Sequence, residues 1–337
     1  MGGAGVSGAL LAAVLRDPAS ASRLTPDDWN GLIAASRAER LIGTLAVRLA
    51  GVSVPTSVEP ILADARDEAA REARQALWEA DRAAAALAGT GIPVILLKGT
   101  AYAAAGLRAG EGRFIGDLDI LVPRDRLDEV EAAILAAGWE WVKPDPYDDD
   151  YYRRWMHELP PMIHKERDRM IDIHHTILPL TARQTPDAAA MMADAVRLDH
   201  GLYILSPQDR ICHAAAHLFA DGDMAGGLRN LWDIHCLLTE CGSMPALIVR
   251  AAQHGLTKAV ARATRLANAL YGEDRSGLTA LDHMFIARLL ARDGWGRETR
   301  KLLRFAFFVR SHGLRMPPLM LARHLWTKWR KGHRPTS

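Results

Sequence analysis

Apolar positions recur at helical spacing through the first ninety residues. Thr25-Pro26-Asp27-Asp28 is a helix start. Thr25 can cap, Pro26 suits the first helical position, and the two acids favour the positive end of the dipole. Trp29, Leu32, Ile33, Leu41, Leu45 and Leu49 then follow roughly the helical period. A second start near Thr56-Ser57 predicts a long Ala-rich helix to about Leu87, stopped by Gly89, Thr90, Gly91 and Pro93. There the period changes. Residues 94–97 are a short continuous apolar run, the pattern of a buried strand. Lys98-Gly99-Thr100 reads as a turn into a short helix over 101–107. Residues 117–122 alternate, with acids on one face and Leu118, Ile120 and Val122 on the other, which predicts a strand. A helix over 126–137, closed by Gly138, precedes a strand over 139–142. Residues 161–164 and 170–174 read as a hairpin around a charged turn. The acidic run 145–150 reads as a solvated loop.

After about Ser206 the helical period returns. Ser206-Pro207-Gln208-Asp209 is a start signal with Ser206 as cap. Further helices are predicted over 228–238, 246–254, 257–270, 283–291 and 298–308, and Pro317-Pro318 opens a last one through Trp329. The expected class is α+β in three parts. These are an N-terminal helical region (1–91), a mixed α/β core (92–205) and a C-terminal helical domain with a basic tail (206–337).

Composition narrows the function classes. Apolar residues at 49% and charged residues at 24% fit a soluble globular chain and argue against disorder. The net charge of +2 gives no global basicity that would point to nucleic acid. Three cysteines without a CxxC pair argue against a disulfide scaffold or a four-cysteine zinc site, and free thiols fit a reducing cytoplasm. The apolar run 9–15 lacks a basic n-region and ends at Arg16-Asp17, so no secretory signal is expected. Val6 breaks the myristoylation pattern. No apolar stretch reaches the ~18 residues of a membrane span. A cytoplasmic location follows as the expectation. The charge asymmetry lies at the end of the chain, where no acid follows Glu298. Ten Lys and Arg residues between Arg300 and Arg334 are interleaved with Phe305, Phe307, Phe308, Trp326 and Trp329. Such a tail suits weak contact with RNA or anionic lipid, or an amphipathic helix packed on the helical domain.

The chemistry concentrates in residues 96–122. Asp117 and Asp119 share a strand face and form a carboxylate pair. Adjacent carboxylates repel unless a cation or proton compensates them, and hard oxygen ligands suit Mg²⁺. Asp172, in Met-Ile-Asp-Ile-His, joins the same site if its strand lies beside that of Asp117. Three acids can hold two metals around an in-line phosphoryl displacement. The turn at Gly99-Thr100 offers a helix N-terminus, a close backbone approach and a hydroxyl to phosphate. Lys98 and Arg113 lie near that turn and the acid strand as phosphate partners or surface ion pairs. His174 should share the face of Asp172, to orient the acid, take a proton from an acceptor, or fill a buried hydrogen-bonding role. His213 and His217 stand at i and i+4, a zinc-capable spacing, but Ala214 replaces the Glu of HExxH and no third ligand is evident. They read instead as a polar seam or plain packing, with Asp233 as its anchor or as a helix-to-helix hydrogen bond.

A Gly-Thr turn opening a helix, Asp-x-Asp on a strand and a single Asp on a later strand together resemble the DNA polymerase β-type nucleotidyltransferases. More narrowly, Leu97-Lys98-Gly99-Thr100, Arg113, Asp117-Leu118-Asp119-Ile120-Leu121-Val122 and Ile171-Asp172-Ile173-His174 are similar to the uncharacterised nucleotidyltransferase family 5. The resemblance is strong over residues 96–178 and weaker through Leu238, including His213, His217 and Leu231-Trp232-Asp233. It implies a nucleotidyltransferase-type mixed sheet, an NTP substrate and Mg²⁺ or Mn²⁺ held by Asp117, Asp119 and Asp172. Lys98, Gly99, Thr100 and Arg113 would then bind the nucleotide. His174, His213, His217 and Asp233 would stand on the acceptor side or behind the acids. The implied reaction moves a nucleoside monophosphate to a hydroxyl or similar acceptor, with release of pyrophosphate. The alternative is a non-catalytic nucleotide-binding protein that acts through its basic C-terminal helices. Two departures from the wider superfamily stand out. Thr100 replaces the commoner Ser, and 17 positions separate it from Asp117, a long interval.

Overall fold

The computed structural model describes residues 6–315 apart from 144, 200, 221 and 275. The fold is mixed α+β, built on a seven-stranded sheet. The strands are β1 (Ile95–Leu96), β2 (Leu118–Leu121), β3 (Trp139–Trp141), β4 (Met162–His164), β5 (Met170–His174), β6 (Val196–Arg197) and β7 (Tyr203–Ile204). Their order is β3-β4-β5-β2-β1-β7-β6. At the centre, β2 runs parallel to β5 and antiparallel to β1. Helices cover both sides of these strands, so their apolar residues are buried whichever face they lie on. Ile95, Leu96, Ile120 and Leu121 are all buried. One cluster of buried apolar side chains runs from Leu11 to Phe307 through the sheet and the helices on either side.

Most predicted elements are present with trimmed ends. Thr25 caps helix Pro26–Ala38 in a reciprocal capping box with Asp28. The long Ala-rich helix is Glu59–Leu87, starting slightly later than Thr56-Ser57. The hydroxyl of Ser206 accepts the Asp209 N–H at 3.2 Å at the head of helix Pro207–Ala220. Helices Gly227–Thr239, Met244–Gln253, Thr257–Tyr271, Ala280–Leu289 and Lys301–Arg315 follow.

Two readings change. The acidic run 145–150 is not a loop: it supplies the N-cap and the first half of helix Pro146–Trp155. Asp145 caps this helix, accepting the Tyr147 N–H at 2.8 Å. Its acids meet basic residues one turn on, Asp149 with Arg153 and Asp150 with Arg154. Such i,i+4 pairs support a helix with little apolar surface. Likewise Lys98-Gly99-Thr100 is not a turn before a helix but the first turn of helix Lys98–Ala104. Helix Ala188–Ala193 and the hairpin of β6 and β7 were not predicted, being too short to show a period.

The first part of the basic C-terminal segment is packed. In helix Lys301–Arg315, Phe307 is buried, Arg304 pairs with Asp223 and Glu298, and Arg310 donates to the Phe219 carbonyl. The other face leaves Leu302, Phe305, Phe308 and Val309 exposed. The helix predicted through Trp329 lies outside the described residues. Among the described residues no helix is long and apolar enough to cross a membrane.

Candidate active site

The acids meet where β2 and β5 run side by side. Asp119 and Asp172 are direct register partners across the parallel pair, so their side chains lie on one face. Asp117 immediately precedes β2. One carboxylate oxygen from each of Asp117, Asp119 and Asp172 lies within 4.8 Å of the others. Asp117 is exposed, Asp172 half-buried, and Asp119 only 3% exposed.

Local backbone geometry brings Lys98 to this cluster. The Leu97 N–H donates to the Asp119 carbonyl at 3.0 Å, closing β1 against β2. Lys98 then adopts a left-handed φ of 47°, unusual for a residue with a Cβ, and opens the helix. Its ammonium reaches back to Asp119 Oδ1 at 2.6 Å. On the other side, His174 Nε2 lies 2.9 Å from the same oxygen. Burial opposes ionisation of Asp119, but Lys98 and His174 outweigh it and hold the carboxyl well below the usual range. Burial also opposes the charge on Lys98, and Asp119 more than restores it. At Asp172 the balance is reversed, and His174 is outweighed. Burial, followed by the carboxylates of Asp119, Glu158 and Asp117, pushes it up to about 7. Lys98 offsets only part of the acidic charge, and a divalent ion would relieve the rest. The donor set, three carboxylates of mixed exposure, fits Mg²⁺ or Mn²⁺.

The predicted phosphate turn is covered rather than open. Gly99 and Thr100 are both buried, and the Thr100 hydroxyl makes no hydrogen bond. Arg113 lies across Gly99, where an added Cβ would stand 2.6 Å from the guanidinium Nε. The guanidinium is engaged by Asp233 on helix Gly227–Thr239, which also holds Arg229. Asp233 therefore braces the turn from behind.

His174, His213 and His217 share a space with one of the three acids, Asp172. They line a cavity of about 220 Å³ together with Lys98, Asp172 and Glu158, and Asp233 is not part of its wall. Burial holds His213 well below its ordinary pKa, so this ring is neutral. A larger groove of about 720 Å³ lies just past the C-terminal ends of β2 and β5, beside Arg124 and His175, and none of the three acids lines it.

Two cavity residues were missed in the sequence. His157 and Glu158 follow helix Pro146–Trp155 and run antiparallel to the end of β5. There the His175 N–H donates to the His157 carbonyl at 2.9 Å, and Glu158 forms a bridge with His174. Their only trace in the sequence is a His-Glu pair between two predicted elements, a pattern too short to mark a site.

A mixed sheet that carries Asp-x-Asp on one strand and a third Asp in register on its parallel neighbour has the architecture of a nucleotidyl-transferring domain. The chain belongs to a family described as uncharacterised nucleotidyltransferase, which matches residues 25–272. No curated protein matches the chain.

Proposed function

We propose that the protein is an Mg²⁺- or Mn²⁺-dependent nucleotidyltransferase that moves a nucleoside monophosphate from an NTP to a hydroxyl or similar acceptor on a small molecule, sugar or peptide. An acceptor oxygen bonds to the α-phosphorus, the bond from that phosphorus to the β-phosphate bridging oxygen breaks, and pyrophosphate leaves. The observation that carries this reading is the placement of Asp117, Asp119 and Asp172 within one ion's reach across β2 and β5. Those acids would hold the metal, which supplies charge neutralisation on the phosphates and a lowered pKa for the attacking oxygen. Asp172 stands where it can take the acceptor's proton, its carboxyl near neutrality. Lys98 spends one of its three donors on Asp119 and keeps others for phosphate oxygen. Gly99, Thr100 and Arg113 complete the phosphate side, with Arg113 positioned by Asp233. His174 orients Asp119, and His213 and His217 face the acceptor from the cavity wall. We keep the division into helical region, nucleotidyltransferase core and C-terminal helical domain, with the basic tail as a contact for RNA or anionic lipid. The unbridged buried cysteines support a reducing, cytoplasmic setting.

The second reading is a nucleotide-binding protein without turnover, acting through its basic C-terminal helices on RNA or an anionic membrane. One experiment separates the two. The full chain is incubated with cell extract, Mg²⁺ and each α-labelled NTP, with EDTA as control. Metal-dependent transfer of label into an acceptor supports the enzyme. Binding of a non-hydrolysable NTP without transfer from any NTP supports the second reading.

A further inference from the structure

His157, Glu158 and His174 form a second ion-sized cluster beside the acids. One ligand atom from each lies within 4.8 Å of the others. The Glu158 Oε2 is 3.4 Å from His174 Nδ1 and 3.5 Å from His157 Nε2. Both separations exceed the ~2.7–3.2 Å of an N–H···O hydrogen bond. Both match the ligand-to-ligand edge of a tetrahedron with metal bonds of roughly 2.0–2.2 Å, which is about 3.3–3.5 Å.

The state of His174 sharpens this. The ring is 2% exposed, and its Nε2 lies 2.9 Å from the Asp119 carboxylate. Its Nδ1 is buried, makes no hydrogen bond and lies opposite a carboxylate oxygen of Glu158. A buried ring nitrogen left without a hydrogen bond costs free energy, which a cation between it and the carboxylate would offset. The Nε2 of His157 converges on the same Glu158 Oε2. A metal ion serves all three. The Asp119–His174 contact is also the arrangement that metal-bound histidines commonly use, the far N–H held by a carboxylate.

We propose that His157, Glu158 and His174 bind a Zn²⁺-class divalent cation, a site separate from the three-aspartate cluster. Two imidazoles and one carboxylate suit zinc better than Mg²⁺, which prefers an all-oxygen shell. All three residues line the cavity shared with Asp172, His213 and His217. A fourth ligand would come from that cavity, as water or as an acceptor group. Occupancy would fix the ring of His174 and through it the carboxylate of Asp119.

The test uses the full chain, stripped of metal and titrated with CoCl₂ and then ZnCl₂. One Co²⁺ per chain should give the visible ligand-field bands of a four- or five-coordinate N,O site, and Zn²⁺ should abolish them. His157→Ala and the near-isosteric Glu158→Gln should each weaken Co²⁺ binding by at least about 100-fold, beyond the roughly 10–100-fold typical of losing an outer partner. Asp117→Asn should leave the bands and the affinity unchanged. Circular dichroism checks that each variant is folded, and a Zn²⁺-dependent rise in wild-type melting temperature gives a readout independent of any variant. Absence of both the bands and the rise would overturn the site and leave a His–Glu ion pair. Bands lost in Asp117→Asn but kept in His157→Ala would overturn it too, by assigning the ion to the aspartates. Neither failure touches the nucleotidyl-transfer reading, which rests on Asp117, Asp119 and Asp172 and is read by label transfer in Mg²⁺.

Discussion

Two buried histidines in this protein begin alike and end differently. His174 is 2% exposed and His254 0% exposed, and each places Nε2 at 2.9 Å from an aspartate Oδ1. Around His254 every valence is used. Its Nδ1 accepts the Asp187 N–H at 3.2 Å. Its partner Asp209 takes two hydrogen bonds from Arg250, at 2.6 and 2.7 Å, and one from the Ser206 hydroxyl at 2.8 Å. Around His174 the second nitrogen lies 3.4 Å from a Glu158 carboxylate oxygen and makes no hydrogen bond, and burial and neighbouring carboxylates raise the Asp172 carboxyl next door. A closed polar network holds helices together. The other leaves a buried ring nitrogen in a cavity without a hydrogen bond. The difference separates a histidine whose nitrogens are both bonded within the fold from one with a nitrogen left over.

The largest effect that probes this contrast is on turnover. Asp117→Asn should reduce nucleotidyl transfer by about 10³-fold or more, the several kcal/mol that metal charge stabilisation supplies. Asp117 is exposed, so the melting temperature should hardly change. A variant that keeps near-normal label transfer would remove Asp117 from the site.

Asp209→Asn should do the reverse. Loss of the carboxylate leaves Arg250 and the fully buried His254 without their common partner, and breaking such a pair costs about 3–5 kcal/mol. Denaturant unfolding should show that loss, while transfer per folded molecule stays within about twofold, since Asp209 lies outside the cavity of the acids. An equal loss of turnover per folded molecule would erase the distinction between the two networks.

The same network sets a pH dependence. Burial raises the Asp209 carboxyl, but hydrogen bonds from His254, Arg250 and Ser206 outweigh it and bring the pKa down from 3.8 to about 2. A depressed carboxyl contributes stability that is present above its unfolded value and is lost as pH falls through its folded value. Wild-type stability should therefore drop more steeply than that of Asp209→Asn between about pH 4 and pH 2. Parallel curves from acid-unfolding measurements would contradict the assignment.

Gly99→Ala should give the smallest of these effects. The new methyl meets the Arg113 Nε at 2.6 Å, so the guanidinium must shift against Asp233. A cost of about 1–3 kcal/mol is expected for such crowding. Unchanged stability would mean that Arg113 is not held over the turn.

The order in which these features could be read from the sequence follows from their physics. The strand of Asp117 and Asp119 is legible because period two separates acids from Leu118 and Ile120, and Asp172 is legible because apolar neighbours isolate it. Register is not carried by either strand alone, so the pairing of Asp119 with Asp172 was conditional until the sheet was seen. Arg113 and Asp233 are 120 residues apart, and nothing local announces that one braces the other. His157 and Glu158 enter the site through a bridge to β5 beside an acidic helix that itself read as a loop. That helix was hidden because its support is charge pairing rather than an apolar face. The short hairpin of β6 and β7 has too few residues to show a period at all.

The central claim, that the acids of β2 and β5 form a cation-dependent nucleotide site, is tested most directly by calorimetric titration of a non-hydrolysable NTP into the wild-type chain and Asp172→Asn, with Mg²⁺ or with EDTA. The account predicts binding to the wild type only with Mg²⁺, and binding weakened by at least about 10-fold in Asp172→Asn, a loss of roughly 1.4 kcal/mol or more. Equal affinity in Mg²⁺ and in EDTA, or in wild type and Asp172→Asn, would contradict it.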